Sequence, residues 1–290
     1  MKIKRLAKQL LISLFVVSVS VSVWPSLALT VEPEPDVPFV PTPMSVVMEM
    51  LKIAGVDKDD VVYDIGSGDG RIPIAAVSAF GAKKGVGIEI QTKLVELSRQ
   101  KAMKEGVADR VEFIARDLFL VPIHEATVVT LYMGYEMNIR IRPKLFKELK
   151  PGTLIVSHDF GMGEWRQDST YTVRGDHREH TIYYWVIPAN VAGTWKWNAN
   201  IKGKQKQFVL NAKQQFQEVT ATLTVNNKEV TLNEVRLLGK KLTISGSMPD
   251  GQVLKFQGEA VSDAIAGTME IAGASHRWTA KRHAVGVVIH

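Results

Sequence analysis

The segment Val61-Val62-Tyr63-Asp64-Ile65-Gly66-Ser67-Gly68-Asp69-Gly70-Arg71 constrains the fold more than any other part of the 290-residue chain. A short apolar run enters a turn with glycine at alternate positions, and an apolar helix pattern follows. Glycine belongs where φ is positive, or where a ligand must approach the main chain with no Cβ in the way. The helix that follows offers free amides and the positive end of its dipole at the turn. The third glycine comes one position early for a dinucleotide-binding G-x-G-x-x-G turn, and no Gly-Lys-Ser/Thr follows, which excludes a P-loop.

The flanking pattern alternates between strand and helix. Residues 45–54, 71–80, 92–105 and 140–149 carry apolar positions at helical spacing. Residues 61–65, 85–90, 111–115, 127–131 and 153–157 read as short apolar strands. This order predicts a doubly wound α/β sheet of parallel βαβ units. Residues 171–174 and 181–187 predict an antiparallel edge. Beyond Pro188 strict alternation takes over, for example Trp195, Trp197 and Ala199 against Lys196 and Asn198. About eight strands of this kind predict an all-β antiparallel, barrel-like domain over residues 189–290, after a ligand-binding domain over 44–188. Trp195 and Trp197 are expected in its core, and Lys202, Lys204 and Lys206 in a solvated loop.

Acids stand at three successive strand ends. Asp64 sits beside the glycine turn, where it can hold an ammonium. Glu89 follows 25 residues later, placed to accept from both ribose hydroxyls, and Asp117 is placed to accept from an adenine amine. With Asp64–Gly70, Gly87-Ile88-Glu89, Arg116-Asp117-Leu118 and the Leu149-Lys150-Pro151-Gly152-Thr153 turn, the chain from about Pro41 to Ile187 resembles the class I methyltransferases, which have a Rossmann-like fold. Pro41-Thr42-Pro43, Asp64–Ile72 and Ser157-His158-Asp159-Phe160 make a narrower likeness. They are similar to the lysine methyltransferases that modify mitochondrial ATP synthase and the adenine nucleotide translocase, and to bacterial relatives. The resemblance implies S-adenosylmethionine as cofactor, held by Thr42, Asp64, Gly66, Ser67, Gly68, Asp69, Gly70, Glu89, Asp117 and Leu118, with the Pro-Thr-Pro segment lying over it.

Tyr132, Tyr135 and Asn138 follow the fourth strand and are the acceptor-site candidates, with packing of the rim as the alternative. A tyrosine there can stack on a cation or hydrogen-bond the acceptor. The Asn/Asp-Pro-Pro-Tyr motif of many amino-methylating enzymes is absent, so no motif identifies the acceptor atom. His158 and Asp159 are expected either beside the acceptor pocket or in a structural role. Asp176, His177 and His180 are expected in a solvated turn, and no metal is called for.

The first residues change the charge argument. Lys2, Lys4, Arg5 and Lys8 contribute much of the +6 net charge, so the remainder is close to balanced and gives no case for nucleic acid. A basic stretch, an apolar run from Leu10 to Trp24 and Ser26-Leu27-Ala28 read as a signal peptide over residues 1–28. The proline-rich stretch 29–43 follows as a linker. The expectation is an exported protein, periplasmic or extracellular, with an uncleaved membrane anchor as the alternative. The absence of cysteine excludes disulfides, thiolate catalysis and cysteine zinc sites. The expected function is methyl transfer to protein lysine. Small-molecule methyl transfer, or cofactor and partner binding without turnover, are the alternatives.

Overall fold

The computed structural model describes residues 34–271 and 273–290. The expected signal peptide and the first part of the linker lie outside the described residues. No helix among the described residues is long and apolar enough to cross a membrane.

β1 (Val61–Ile65) lies at the centre of a seven-stranded sheet. It pairs in parallel with β2 (Lys84–Glu89) on one side and β4 (Val128–Leu131) on the other. β3 (Val111–Ala115) extends the first side and β5 (Leu154–His158) the second, both parallel. β7 (Glu179–Val186) then pairs antiparallel with β5, and β6 (Ser169–Arg174) closes the edge. The order is β3-β2-β1-β4-β5-β7-β6. The chain steps outward from β1 to β3 and then returns to the other side at β4, so a crevice opens above the carboxyl ends of β1 and β4.

Both faces of this sheet are covered, which explains why its strands read as continuous apolar runs. Val62, Val128 and Val156 face α1 (Met44–Ile53), α2 (Arg71–Ser78) and α3 (Thr92–Lys104). Their neighbours Tyr63, Val129 and Ile155 face α4 (Tyr135–Glu148) on the opposite side. α4 corrects the expected start at Arg140. Gly134, at φ 83°, admits the chain to the helix five residues earlier, and Met137, Asn138, Ile141 and Leu145 form its buried stripe. Pro143 therefore sits in the helix interior rather than in its first turn.

The second sheet begins with β8 (Gly193–Ile201), after the seven-stranded sheet has ended at Val186. β8, β9 (Lys204–Gln215), β10 (Glu218–Val225), β11 (Lys228–Leu238), β12 (Lys241–Ser247), β13 (Val253–Val261), β14 (Ala264–Ile271) and β15 (Ala274–Val285) follow as an antiparallel meander. Pairing of β15 with β8 closes it into a barrel. β16 (Val288–Ile289) adds to the end of β9 in parallel. Trp197, Phe208, Phe256 and Trp278 stack inside, with ring centroids 5.0–5.7 Å apart. Trp195 is also buried, and its Nε1 donates to Val191 O.

The two sheets meet along α4 and the β5–β6 loop. Trp165 Nε1 donates to Gln217 Oε1 at 2.9 Å, and Gln217 Nε2 returns a bond to Arg166 O at 2.6 Å. Phe146 of α4 stacks on His290, and the Arg142 guanidinium lies 5.2 Å from the Phe216 ring centre. The described residues from 34 onward therefore cluster as one unit.

Candidate active site

A cavity lies at the carboxyl ends of β1, β2 and β4, walled by the glycine bend and roofed by residues 35–42. The bend takes its shape from Gly66, Gly68 and Gly70, at φ 75°, 51° and 75°. A Cβ on Gly68 would lie 2.3 Å from the Phe39 ring, so the roof rests directly on the main chain there. A Cβ on Gly70 would strike Phe113 and Ser98, so this glycine serves helix–strand packing and does not line the cavity.

Asp64, Glu89 and Asp117 all line the cavity. Asp64 is buried and accepts from the Thr130 hydroxyl at 2.7 Å. Burial pushes its carboxyl up to about 7; the Thr130 bond opposes this, while the charges of Glu89 and Asp69 add to it. A cation beside Asp64 would reverse the shift. Glu89 accepts from Gly68 N–H and Gln91 N–H, both at 2.9 Å, which fixes the carboxylate against the bend. Asp117 is exposed and caps the short 3-10 turn at Leu118–Leu120 by accepting from Phe119 N–H.

Asp69 also lines the cavity, with its carboxylate engaged by protein partners. Burial alone would raise its carboxyl, but hydrogen bonds and charges from Arg71 and Lys101 outweigh it and hold it at about 2. Its oxygens are committed to those two side chains. Arg71 also donates to Thr42 O at 2.7 Å, so one guanidinium joins the bend to the roof.

Of the acceptor-site candidates, only Tyr132 reaches the cavity wall. Tyr135, half exposed, begins α4 outside it. Asn138 is fully buried and donates to Ser157 Oγ, Phe160 O and Gly161 O, holding the loop after β5. Both depart from expectation because α4 starts at Tyr135, and of the residues in its first turn Met137 is the one that lines the cavity.

His158 is completely buried beneath Thr42 and Tyr132. Its Nε2 lies 2.7 Å from His180 Nδ1, and Asp159 Oδ2 lies 3.3 Å from each nitrogen. These three residues lie close enough together for a cation. The ring-to-ring distance is that of a hydrogen bond, however, and Arg178 pairs with the carboxylate, so the chemistry is that of a hydrogen-bonded cluster. His177 is exposed, and Asp176 accepts from Ser45.

Residues 64–169 match the family model described as the ANTKMT methyltransferase domain. A protein-lysine N-methyltransferase of Saccharolobus islandicus is 45% identical over 153 residues, which are 53% of this chain and 95% of the relative. The chain belongs to the protein-lysine N-methyltransferase family. The adenine nucleotide translocase lysine N-methyltransferase of Mus musculus is 31% identical over 105 residues, 36% of this chain and about half (45%) of that relative's length. A solved structure described as an RNA methyltransferase from Salinibacter ruber in complex with S-adenosyl-L-homocysteine shares 53% identity over 51% of this chain and 93% of that one, at a TM-score of 0.48.

The methyltransferase uses S-adenosylmethionine, and the cavity fits that group. Ser67 Oγ is buried without a partner and lines the cavity, as a donor or acceptor left for a ligand. The bare bend admits the methionine end beside Asp64, whose carboxylate would meet the ammonium. Glu89 and Asp117 would face the ribose and adenine, with Leu118 and Ile90 alongside. Sequence reasoning did not identify Phe39, Met133 or Met137 as lining residues, because each reaches the cavity from outside the glycine and acid motifs.

Proposed function

We propose that the protein methylates the ε-amine of lysine on a protein acceptor, outside the cytoplasm or at the membrane. The observation that supports it most is the lining of the cavity, which brings the carboxylates of Asp64, Glu89 and Asp117 together with the Tyr132 ring. The names of the relatives support lysine as acceptor, and the aromatic ring suits an approaching alkylammonium. When bound, S-adenosylmethionine supplies an already activated methyl group. The protein's own work is alignment and exclusion of water, worth on the order of 7–11 kcal/mol when the geometry is good. Asp64, Glu89 and the bend fix the donor. Residues 35–42 close over it, and Tyr132 confines the incoming amine.

The N-terminal charge and apolar run support export, and the near-even charge of the remaining chain favours a protein acceptor over nucleic acid. Two measurements test the reading. Labelled S-adenosylmethionine is incubated with the protein and an envelope extract of the producing organism. Label in protein that resists nuclease and yields methyl-lysine on hydrolysis is expected; label in RNA or in soluble metabolites overturns the reading. Fractionation of a variant tagged after His290 is expected to place it outside the cytoplasm. Recovery in the soluble cytoplasm rejects export.

A further inference from the structure

A lysine ammonium cannot attack a methyl group until it has lost a proton, so the acceptor site needs a route for that proton. We propose that Thr42, His158 and His180 form this route, carrying the proton from the acceptor amine to the Asp159 edge of the sheet. The inference rests on the reading of lysine as the acceptor.

Thr42 is buried in the roof and lines the cavity, and its Oγ1 lies 3.1 Å from His158 Nδ1. His158 Nε2 is 2.7 Å from His180 Nδ1. The chain of contacts thus leaves the cavity, crosses from β5 to β7 and ends at His180, whose Nε2 faces Gly175 in the β6–β7 turn. The Tyr132 ring stacks on His158 with centroids 4.0 Å apart and keeps bulk water off its face.

The groups facing His158 set the direction of transfer. They are Tyr132 after β4, Asp159 next in the chain, His180 on β7 and Arg178 in the preceding turn. Arg71 of α2 reaches only the Thr42 carbonyl. Burial, aided by His180 and Arg178 against Asp159, holds the His158 imidazole down at about 4, so it passes a proton on and does not keep it. Burial would raise Asp159, but bonds from Arg178 and Thr181 N–H outweigh it and keep the carboxyl below its usual range. Asp159 is also held at φ 59°, a left-handed conformation that is strained for a non-glycine residue. Two buried imidazoles in contact are likewise costly to bury unless each is hydrogen-bonded.

The transfer balances. At the start Thr42 donates to His158 Nδ1, and His158 Nε2–H donates to His180 Nδ1. The acceptor N–H bond breaks as its proton moves to Thr42 Oγ1. The Thr42 proton passes to His158 Nδ1, and the His158 Nε2 proton passes to His180 Nδ1. The amine keeps the electron pair of the broken bond for attack on the methyl group. His180 is left as an imidazolium 3.3 Å from the Asp159 carboxylate and releases its Nε2 proton to water. His158 and His180 act through Thr42 and are positioning residues.

The test uses the full chain, labelled S-adenosylmethionine and the envelope extract as acceptor, with kcat/KM measured from pH 6 to pH 10. Thr42→Val and His158→Asn are expected to fall about 30-fold at pH 7. The gap should close to within about threefold near pH 10, where a free lysine sheds its proton to bulk water. The dissociation constant of His158→Asn for S-adenosylmethionine should stay within about twofold of wild type, and Thr42→Ser should restore the shape of the wild-type profile. Deficits that are equal at every pH, or a Thr42→Ser profile matching that of Thr42→Val, overturn the relay. If the variants fail to fold, nitrogen-15 NMR of the wild type at pH 7 decides: Nδ1 of His158 is expected unprotonated and Nε2 protonated, and the reverse or a charged ring overturns the proposal. A wild type that labels no protein overturns the lysine reading and the relay with it, whereas a labelled product with parallel profiles overturns the relay alone.

Discussion

Asp64 sets stability against function at a single carboxyl. Its folded value near 7 lies above the unfolded 3.8. The folded state therefore holds this proton more tightly, and that stabilisation is complete below about pH 4 and is lost as pH rises through 7. Asp64→Asn, which needs no proton, is expected to raise the stability of the cofactor-free protein at pH 8 by on the order of 2–4 kcal/mol, read by urea titration. The same variant should weaken S-adenosylmethionine binding by more than 100-fold in calorimetry. In the wild type, affinity should increase between pH 6 and 8 as the carboxylate forms, with proton release visible as a buffer-dependent heat. Equal heats in buffers of different ionisation enthalpy would contradict this. Gly68→Val should abolish binding for a steric reason: its φ of 51° and the Phe39 ring leave no room for a side chain.

Elements close the site by converging on Arg71. Asp69, Arg71 and Lys101 bring α2 and α3 to the bend, and Arg71 alone extends the tie to the roof. Arg71→Ala is expected to cost about 2 kcal/mol, since it strips a buried carboxylate of a bidentate partner and frees the Thr42 carbonyl. The loss should shrink as pH falls through about 2, where Asp69 takes up a proton. Acid titration followed by circular dichroism checks this.

Local spacing made the bend and the acids at 64, 89 and 117 legible, because each lies within a few residues of a strand end. Asn138 and Tyr135 were misplaced because a helix start depends on Gly134, whose conformation no periodicity reports. The His158–His180 contact was hidden for another reason. It spans an antiparallel pair, β5 with β7, and which β7 residue lies beside His158 is fixed only by the register that places His158 opposite Ile182.

At the scale of the molecule, the barrel and the α/β sheet are tied through Trp165. The loop that carries Asp159 and Phe160 also carries this side chain, which is buried against Phe146, Trp185 and Phe216. Trp165→Ala is expected to cost about 3–5 kcal/mol and to split a single calorimetric transition into two. A single transition shifted by less than 1 kcal/mol would show that the two sheets fold without this contact.

The ring of strands β8–β15 has no open side. Each of these strands has a paired neighbour on both sides, so a visiting polypeptide finds no free edge strand to extend. Whatever protein meets this half of the molecule must be recognised by the hairpin tips or by side chains on the outer wall, and the barrel itself resists the edge-to-edge sticking that brings other β-rich chains out of solution.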